Sequence, residues 1–465
     1  MDSGTTLPEN RGVIGSRPST RHAWALVLVA GAAVQLAAFW PGVVVWDSIH
    51  QFAEARSGHY GDLHPPAMAW LWRQLDGLVP GPGPMLALQA ALYWAGFMLL
   101  AGKAARDGRS RLALAIAACA VAPVPFLLIG TVLKDSLMAG ALLVAAGLAG
   151  WARPGRRWPA AGAAALLLAA ATLRFNAVPA CLPLVAALLP PRWRWPRAAA
   201  AMLVATLALA AALPLANRLL HARDSGVALS LAIYDLGGIA RFSGADVLPP
   251  VPVPNRVTVA AGCWSPVSWD SYSWWVERPC PVGFEQLRPA FAADGGWQRR
   301  WLAAVIAHPL AYARARMSHL ACNLRASSCG GRLPGLSLES DPNPFGFHVA
   351  PSRLRGAIDA VAVASLATPL GWPVCWLALA AACLAVRPWG PGLGPPLGWS
   401  ALLYGVSYGP LSVASEVRYH LWTMTAAALA AVLTLAARPA VPRWRSLVAG
   451  GLMAAAVIAP ALARL

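Results

Sequence analysis

Charge is what this sequence has little of. Only 12% of its 465 residues are Asp, Glu, Lys or Arg, about half the share found in soluble domains. That excludes a water-soluble enzyme of this length. Lysine is nearly missing, with Lys103 and Lys134 the only two. With the abundance of Ala and Arg, this points to a GC-rich bacterial genome. The eight cysteines are thinly spread and include no CxxC pair, so neither a disulfide scaffold nor a metal cluster is expected. Glycine has no period, which excludes a collagen-like chain. There is no P-loop, no GxGxxG ahead of a helix and no internal repeat beyond Ala/Leu low complexity. No nucleotide is therefore expected. Strand alternation over long stretches is missing as well, which argues against a β-barrel.

What is present is apolar. Hydrophobic residues make up 58% of the chain, Trp alone occurs 22 times, and mean hydropathy is +0.54. Disorder is excluded by the same figures. The class that remains is an all-α polytopic membrane protein. Runs long enough for a span lie near 23–42, 85–102, 112–130, 136–151, 159–173, 177–190, 198–216, 357–386, 397–413, 419–437 and 446–463. That is about eleven transmembrane helices.

Basic residues orient them. Arg11, Arg17 and Arg21 precede the first run, and Lys103, Arg106, Arg109 and Arg111 follow the second. Arg153, Arg156 and Arg157 follow the fourth, and Arg192, Arg194 and Arg197 the sixth. Arg387 follows the eighth, and Arg438, Arg443 and Arg445 the tenth. With a cytoplasmic N-terminus all seventeen fall on the cytoplasmic side, as the positive-inside rule requires. Much of the +18 net charge is thus a topology signal, and no nucleic-acid partner is expected. The long apolar stretch of the first run favours an uncleaved anchor over a signal peptide. The division is an N-terminal transmembrane module (1–216) with a first external loop (43–84), a mixed, mainly helical external domain (217–356), and a C-terminal transmembrane module (357–465). The location expected is the bacterial inner membrane, multi-pass, with the long loop outside.

The external domain offers helix candidates near 226–242 and 297–325. Arg299, Arg300, Arg314 and Arg316 border apolar residues of the second. It either lies on the membrane surface or packs on its own domain, with a kink at Pro309. Cys263, Cys280, Cys322 and Cys329 all fall in this domain, where an oxidising compartment permits one or two disulfides.

Ionisable groups in or beside spans are costly and usually functional. Here they sit at external helix ends rather than at mid-depth. Asp47 follows the first run, a rigid mount for a general base; the alternative is a helix N-cap. Asp62 and His64 lie in Tyr-Gly-Asp-Leu-His-Pro-Pro. They could position substrate, share a divalent cation with Asp47, or form only a turn. Lys134 can meet a phosphate while Asp135 fixes it, or the two are an interfacial pair that snorkels. Arg174 with Asn176, and Arg418 with Glu416, Tyr419 and His420, lie at two further external turns. Lys134, Arg174 and Arg418 would converge into a phosphate cradle if the bundle is compact.

An Asp after a span, followed by Tyr-x-Asp-x-His-Pro-Pro, resembles the first external loop of GT-C fold membrane glycosyltransferases. The likeness is to the protein O-mannosyltransferase-like (family 39) and aminoarabinose-transferase-like group. The Lys134-Asp135, Arg174-Phe175-Asn176 and Glu416-Val417-Arg418-Tyr419 turns resemble that group too, as does Trp301 through Tyr312. One departure is Ser48, where family 39 often has a Glu after the Asp. The resemblance implies inverting transfer of a sugar from a polyprenyl-phosphate donor on the external face. Asp47 would be the base, Asp62 and His64 would position substrate, and Lys134, Arg174 and Arg418 would neutralise the departing lipid phosphate. Asp135, Asn176, Glu416 and Tyr419 would support them. Two other classes fit the composition: a transporter or flippase for a lipid-linked anion, and a non-catalytic envelope scaffold. The scaffold reading requires that the charged turns do not converge.

Overall fold

A computed structural model describes residues 22–152, 157–190, 192–329, 333, 335–437 and 439–464. Arg11, Arg17, Arg21, Arg153, Arg156 and Arg438 lie outside the described residues. Within them the chain is helical, with three isolated bridges and no strand. The first part runs α1 (Ala23–Phe39), α2 (Trp46–Ser57), α3 (Ala67–Asp76), α4 (Gly83–Arg106), α5 (Ser110–Ala120) and α6 (Pro123–Ile129). It continues with α7 (Lys134–Trp151), α8 (Trp158–Ala171), α9 (Val178–Leu188) and α10 (Trp195–Leu219). The middle holds α11 (Val227–Ser243), α12 (Arg256–Cys263), α13 (Phe284–Ala293), α14 (Trp297–Ala307) and α15 (Pro309–Asn323). The last part is α16 (Arg353–Leu366), α17 (Pro373–Val386), α18 (Gly394–Leu411), α19 (Leu421–Ala437) and α20 (Arg443–Leu462).

The count of eleven spans does not hold. Among the described residues four helices are long and apolar enough to cross a membrane: α4, α10, α20, and α19 with the turn before it (Val417–Ala437). A fifth is gained if α5 and α6 form one span bent by 61°. Length is the reason. Helices α1, α8, α9 and α17 are apolar but have 17, 14, 11 and 14 residues, where a bilayer core asks for about 20. The run at 357–386 is cut in two by a 3₁₀ turn at Pro369–Gly371 and a new helix start at Pro373, a position proline favours.

The break between α5 and α6 and the early end of α6 leave carbonyls free inside the bundle. Buried side chains from neighbouring helices fill them. The Tyr93 hydroxyl donates to Ala120 O at 2.9 Å. The Gln35 amide donates to Phe126 O at 2.7 Å and its oxygen accepts from Trp94 Nε1 at 2.6 Å. The Gln89 amide donates to Ile129 O and Thr131 O at 2.7 and 2.8 Å, and its oxygen accepts from Leu133 N at 3.3 Å. Irregular backbone is tolerated in an apolar interior only when it is satisfied in this way.

The segment Gln89 clamps has a second partner. Val43 N–H donates to Gly130 O at 3.1 Å and Val132 N–H to Val43 O at 2.8 Å, a short parallel bridge between residues 43 and 131. Each extended piece turns at once into a helix, α2 on one side and α7 on the other. The bridge therefore sets their first turns side by side.

Among the described residues there are two large cores and a small cluster of Trp372, Cys375 and Ala456. The larger joins α1, α2 and α4–α9 with α18 and α19. A second gathers Leu229 to Ala315, with Tyr234, Trp264, Tyr272 and Phe291. Leu336, Leu338, Phe345, Phe347 and Val349 pack instead on the larger core. Phe345 and Phe347 lie 4.8 and 4.9 Å from the Phe52 ring of α2. Disulfides Cys263–Cys280 and Cys322–Cys329 brace the middle segment. The helix candidate at 297–325 is two helices, because Pro309 starts α15 at its first turn rather than kinking one rod. Trp301 and Val305 pack on the second core, while Leu302, Ile306 and Leu310 are exposed.

Helix α15 ties the two cores together. Buried Arg316 pairs with Asp235 at 2.6 Å and donates to Ser412 O at 2.7 Å. Trp301 Nε1 donates to the other Asp235 oxygen at 2.8 Å. Asn323 donates to Ala414 O at 3.0 Å, and its oxygen lies 2.7 Å from His420 Nε2. The stretch 412–420, which carries Glu416 and Arg418, is thereby held at both ends.

Candidate functional site

Asp47 sits in the first turn of α2, not at its N-cap, which is Val45. The N-terminus is capped from far along the chain: Asp341 Oδ2 accepts from Trp46 N–H at 2.8 Å. Ser48 donates to Val132 O and accepts from Val45 N–H. An acid in the first turn is favoured by the helix dipole. At the other end of α2, Gly58 takes φ 73° and closes the helix with its N–H on Glu54 O at 2.8 Å, the left-handed stop that glycine makes readily.

Lys134 is the first residue of α7. A cation there opposes the dipole, and Asp47 compensates. The Lys134 ammonium donates to Asp47 Oδ2 at 2.7 Å and to His64 Nδ1 at 3.0 Å. An ammonium has only donors, so Nδ1 accepts and the ring proton sits on Nε2. That nitrogen faces Asp47 Oδ1 at 3.9 Å. Arg418 Nη1 reaches Asp47 Oδ2 at 3.3 Å, and the same guanidinium pairs with Glu416.

A circuit closes through the remaining residues. Asp135, beside Lys134, is buried and pairs with Arg174. Arg174 Nε donates to Asn176 Oδ1 at 3.3 Å, and Asn176 donates to Ser407 at 3.1 Å. The Arg174 guanidinium lies 4.6 Å from the Tyr419 ring centroid, and Arg418 lies 5.5 Å from the same ring. Tyr419 thus joins the two arginines by cation–π contacts. Tyr408 stacks on it, with centroids 5.5 Å apart and an interplanar angle of 5°. The structure brings together Asp47, His64, Lys134, Asp135, Arg174, Asn176, Glu416, Arg418 and Tyr419.

Asp62 is not among them. Its Oδ1 accepts from Ser225 N–H at 2.6 Å, and its N–H bonds Arg223 O at 3.0 Å. Asp62 anchors the 58–64 loop to the start of the middle segment. The set Asp47, Asp62 and His64 therefore does not converge on one cation. Among the described residues no group of three His, Cys, Asp or Glu side chains is placed to hold a metal ion. The Lys134 ammonium occupies the position between Asp47 and His64.

The electrostatics follow from this packing. Burial alone pushes the Asp47 pKa upward, but Arg418 and Lys134 more than offset it and hold the carboxyl well below the usual range. Burial pushes His64 down to about 3, Lys134 adding to the effect and Asp47 opposing it, so His64 is neutral at physiological pH. Burial raises Glu416 while Arg418 opposes.

Several contributors were not legible in the sequence. Asp341, the capping residue, is 294 positions from Asp47. Tyr404 and Tyr408 lie one turn apart on α18; the Tyr408 hydroxyl donates to Tyr419 O at 2.9 Å and accepts from the Tyr404 hydroxyl at 2.6 Å. Their i, i+4 spacing on an apolar helix was the available signal. Asp270 approaches from the middle segment. Burial raises its pKa, Ser268 opposing, and the charge of Asp47 adds to the rise. Neither a known protein family, nor a curated protein, nor a solved structure matches this chain.

Proposed function

We propose that this protein is a GT-C-like membrane glycosyltransferase. It moves a sugar from a polyprenyl-phosphate donor to an acceptor hydroxyl at the external face of a bacterial inner membrane. The observation that carries this reading is one carboxylate, Asp47, mounted on a helix start and held between Lys134 and Arg418, with Arg174 linked through Tyr419. Three cations are interleaved with three carboxylates, and of these Asp47 alone bridges two of the cations, Lys134 and Arg418; such a group suits a reaction in which a hydroxyl loses a proton as a phosphate leaves. The ordered motif resemblance points the same way.

In the proposed step the acceptor oxygen attacks the anomeric carbon as the bond from that carbon to the phosphate oxygen opens. The transition state has oxocarbenium character. The phosphate departs with the bonding electrons and is met by Lys134, Arg418 and Arg174. Asp47 takes the acceptor proton late. In the free site Asp47 is a weak base, because the cations hold its charge. A phosphate that takes up Lys134 and Arg418 relieves this, so the base is strengthened once donor is bound. His64, neutral and touching both Lys134 and Asp47, keeps the two in register. The prenyl chain lies along apolar helices, and no nucleotide takes part.

A transporter reading would draw on the bent α5–α6 pair, since broken helices form transporter sites. Here the freed carbonyls are taken by Gln35, Gln89 and Tyr93 rather than left for a substrate. The stereochemistry of the product tests the transfer reading. With lipid-linked sugar of known anomeric configuration, the product should be inverted. Retention would contradict direct attack assisted by Asp47.

A further inference from the structure

Two turns along α2 from Asp47, a cavity of about 290 Å³ opens beside the site. Its walls include His50, Glu54, Tyr60, Arg223, Ser225 and Trp274. Asp47, His50 and Glu54 stand at i, i+3 and i+7, so they share one helix face. The His50 ring meets the His64 ring at 5.5 Å, and His64 in turn faces Asp47. Cavity and base are therefore neighbours.

Glu54 is only 8% exposed. Its Oε1 accepts from Gly61 N–H at 2.7 Å and lies 3.8 Å from His50 Nδ1. Its Oε2 is buried and has no hydrogen-bond partner among the described residues. A buried carboxyl oxygen left unpaired is costly, and a turn of the Glu54 side chain toward the cavity it lines would let a ligand donor remove that cost. Burial raises Glu54 to about 7, with Gly61 N–H opposing and Asp62 adding. Such a group suits a neutral hydroxyl better than an ammonium, and Arg223 on the same wall disfavours a cation further. Trp274 is 42% exposed, a flat apolar face on a cavity wall that also carries Glu54, His50 and Arg223. The volume is at the small end of ligand pockets, roughly 300–1,000 Å³, and takes one ring rather than an extended chain.

We propose that this cavity is a carbohydrate subsite: a sugar ring stacks its C–H face on Trp274 and donates a hydroxyl to Glu54 Oε2. On the transfer reading above, on which this role rests, the ring belongs to the acceptor and its reacting hydroxyl reaches Asp47. The acceptor is then itself a glycan, and Glu54 and Trp274 select it.

Saturation-transfer NMR on the full-length protein in nanodiscs tests this. The probes are the methyl glycosides of glucose, galactose and mannose, with a Ser/Thr peptide as the competing acceptor class. At least one glycoside should receive saturation at its ring protons. Trp274→Ala and Glu54→Gln should each cut that signal at least fivefold. Trp195→Ala, at an exposed tryptophan outside the cavity, should leave it unchanged. Thermal unfolding of each variant checks folding, and the exposed Trp274 keeps the test available if Glu54→Gln does not fold. Equal signals in wild type and both variants, or saturation of the peptide alone, would overturn the subsite. Transfer activity together with no glycoside binding would overturn it while leaving the proposed function standing. Glycoside binding without any sugar transfer would keep the subsite and sink the catalytic reading.

Discussion

Asp47 is the residue on which the rest depends. Its carboxylate sees Lys134 at 2.7 Å and Arg418 at 3.3 Å, and they hold its pKa well below the usual range. The sign is that of a depressed acid: the group is ionised above its lowered pKa and loses its charge only as pH falls through it. For donor kcat/KM at saturating acceptor, which reports the site before the donor arrives, the acid limb is expected below pH ~4, the ordinary aspartate value. In kcat the limb should lie at higher pH, because bound phosphate takes up the cations. An acid limb of kcat/KM between about pH 5 and 7 would contradict Asp47 as the base. At this scale the sequence was informative. Charge is so sparse that Asp47, Lys134, Arg174 and Arg418 stand out against the apolar background, and the structure brings them together. Asp62 stood out equally but binds the 223–225 loop instead, because a turn-forming motif gives no direction to its side chain. Asp341 and Glu54 carried no visible signal: one acts across nearly 300 residues, the other looks like any polar residue on a loop helix.

At the scale of elements, site geometry comes from how α2 and α7 begin. The bridge between residues 43 and 131 sets their register, and Gln89 holds the second segment of that bridge from α4. Gln89→Leu strands the buried Ile129 carbonyl and the Leu133 N–H, and leaves Thr131 O only its 3.3 Å bond from Ser136. Each unsatisfied buried group costs about 1–3 kcal/mol, so unfolding in denaturant should show a loss of about 3 kcal/mol or more. A loss under about 1 kcal/mol would mean that water or a shift of the segment replaces the amide. Such clamps are invisible in a hydropathy reading. Gln35 and Gln89 lie inside apolar runs and do not disturb them. The same blindness explains the span count. Hydropathy locates apolar runs but not the breaks within them, and Pro369, Pro373 and the α5–α6 bend divide or shorten what reads as continuous. It also reads α8 and α9 as spans although they have 14 and 11 residues. The helix at 227–243 and the membership of all four disulfide cysteines in the middle segment were legible, because local composition sets both.

For the whole molecule, two cores meet across α15, and the site lies where the segment 412–420 passes between them. The charge asymmetry gives the orientation its test. On the positive-inside reading of the sequence Arg109 and Arg111 are expected on the cytoplasmic side, and Ser57 ends α2 on the site side. In intact cells a membrane-impermeant maleimide should label Ser57→Cys and not Arg111→Cys, which should react only after permeabilisation. Background is expected to be low, since Cys181, Cys375 and Cys383 are buried and Cys119 is half-buried. The reverse pattern would place the site on the cytoplasmic face and contradict the proposed location. The central claim is that Asp47 accepts the proton of a sugar-transfer reaction. It is tested most directly by release of polyprenyl phosphate from a panel of lipid-linked sugars in envelope membranes carrying either wild type or Asp47→Asn. Loss of a general base lowers rates by about 10²–10⁴. The account predicts release by wild type and a loss of that size in the variant, with its unfolding midpoint retained; an Asp47→Asn protein that still releases the lipid phosphate at the wild-type rate would contradict it.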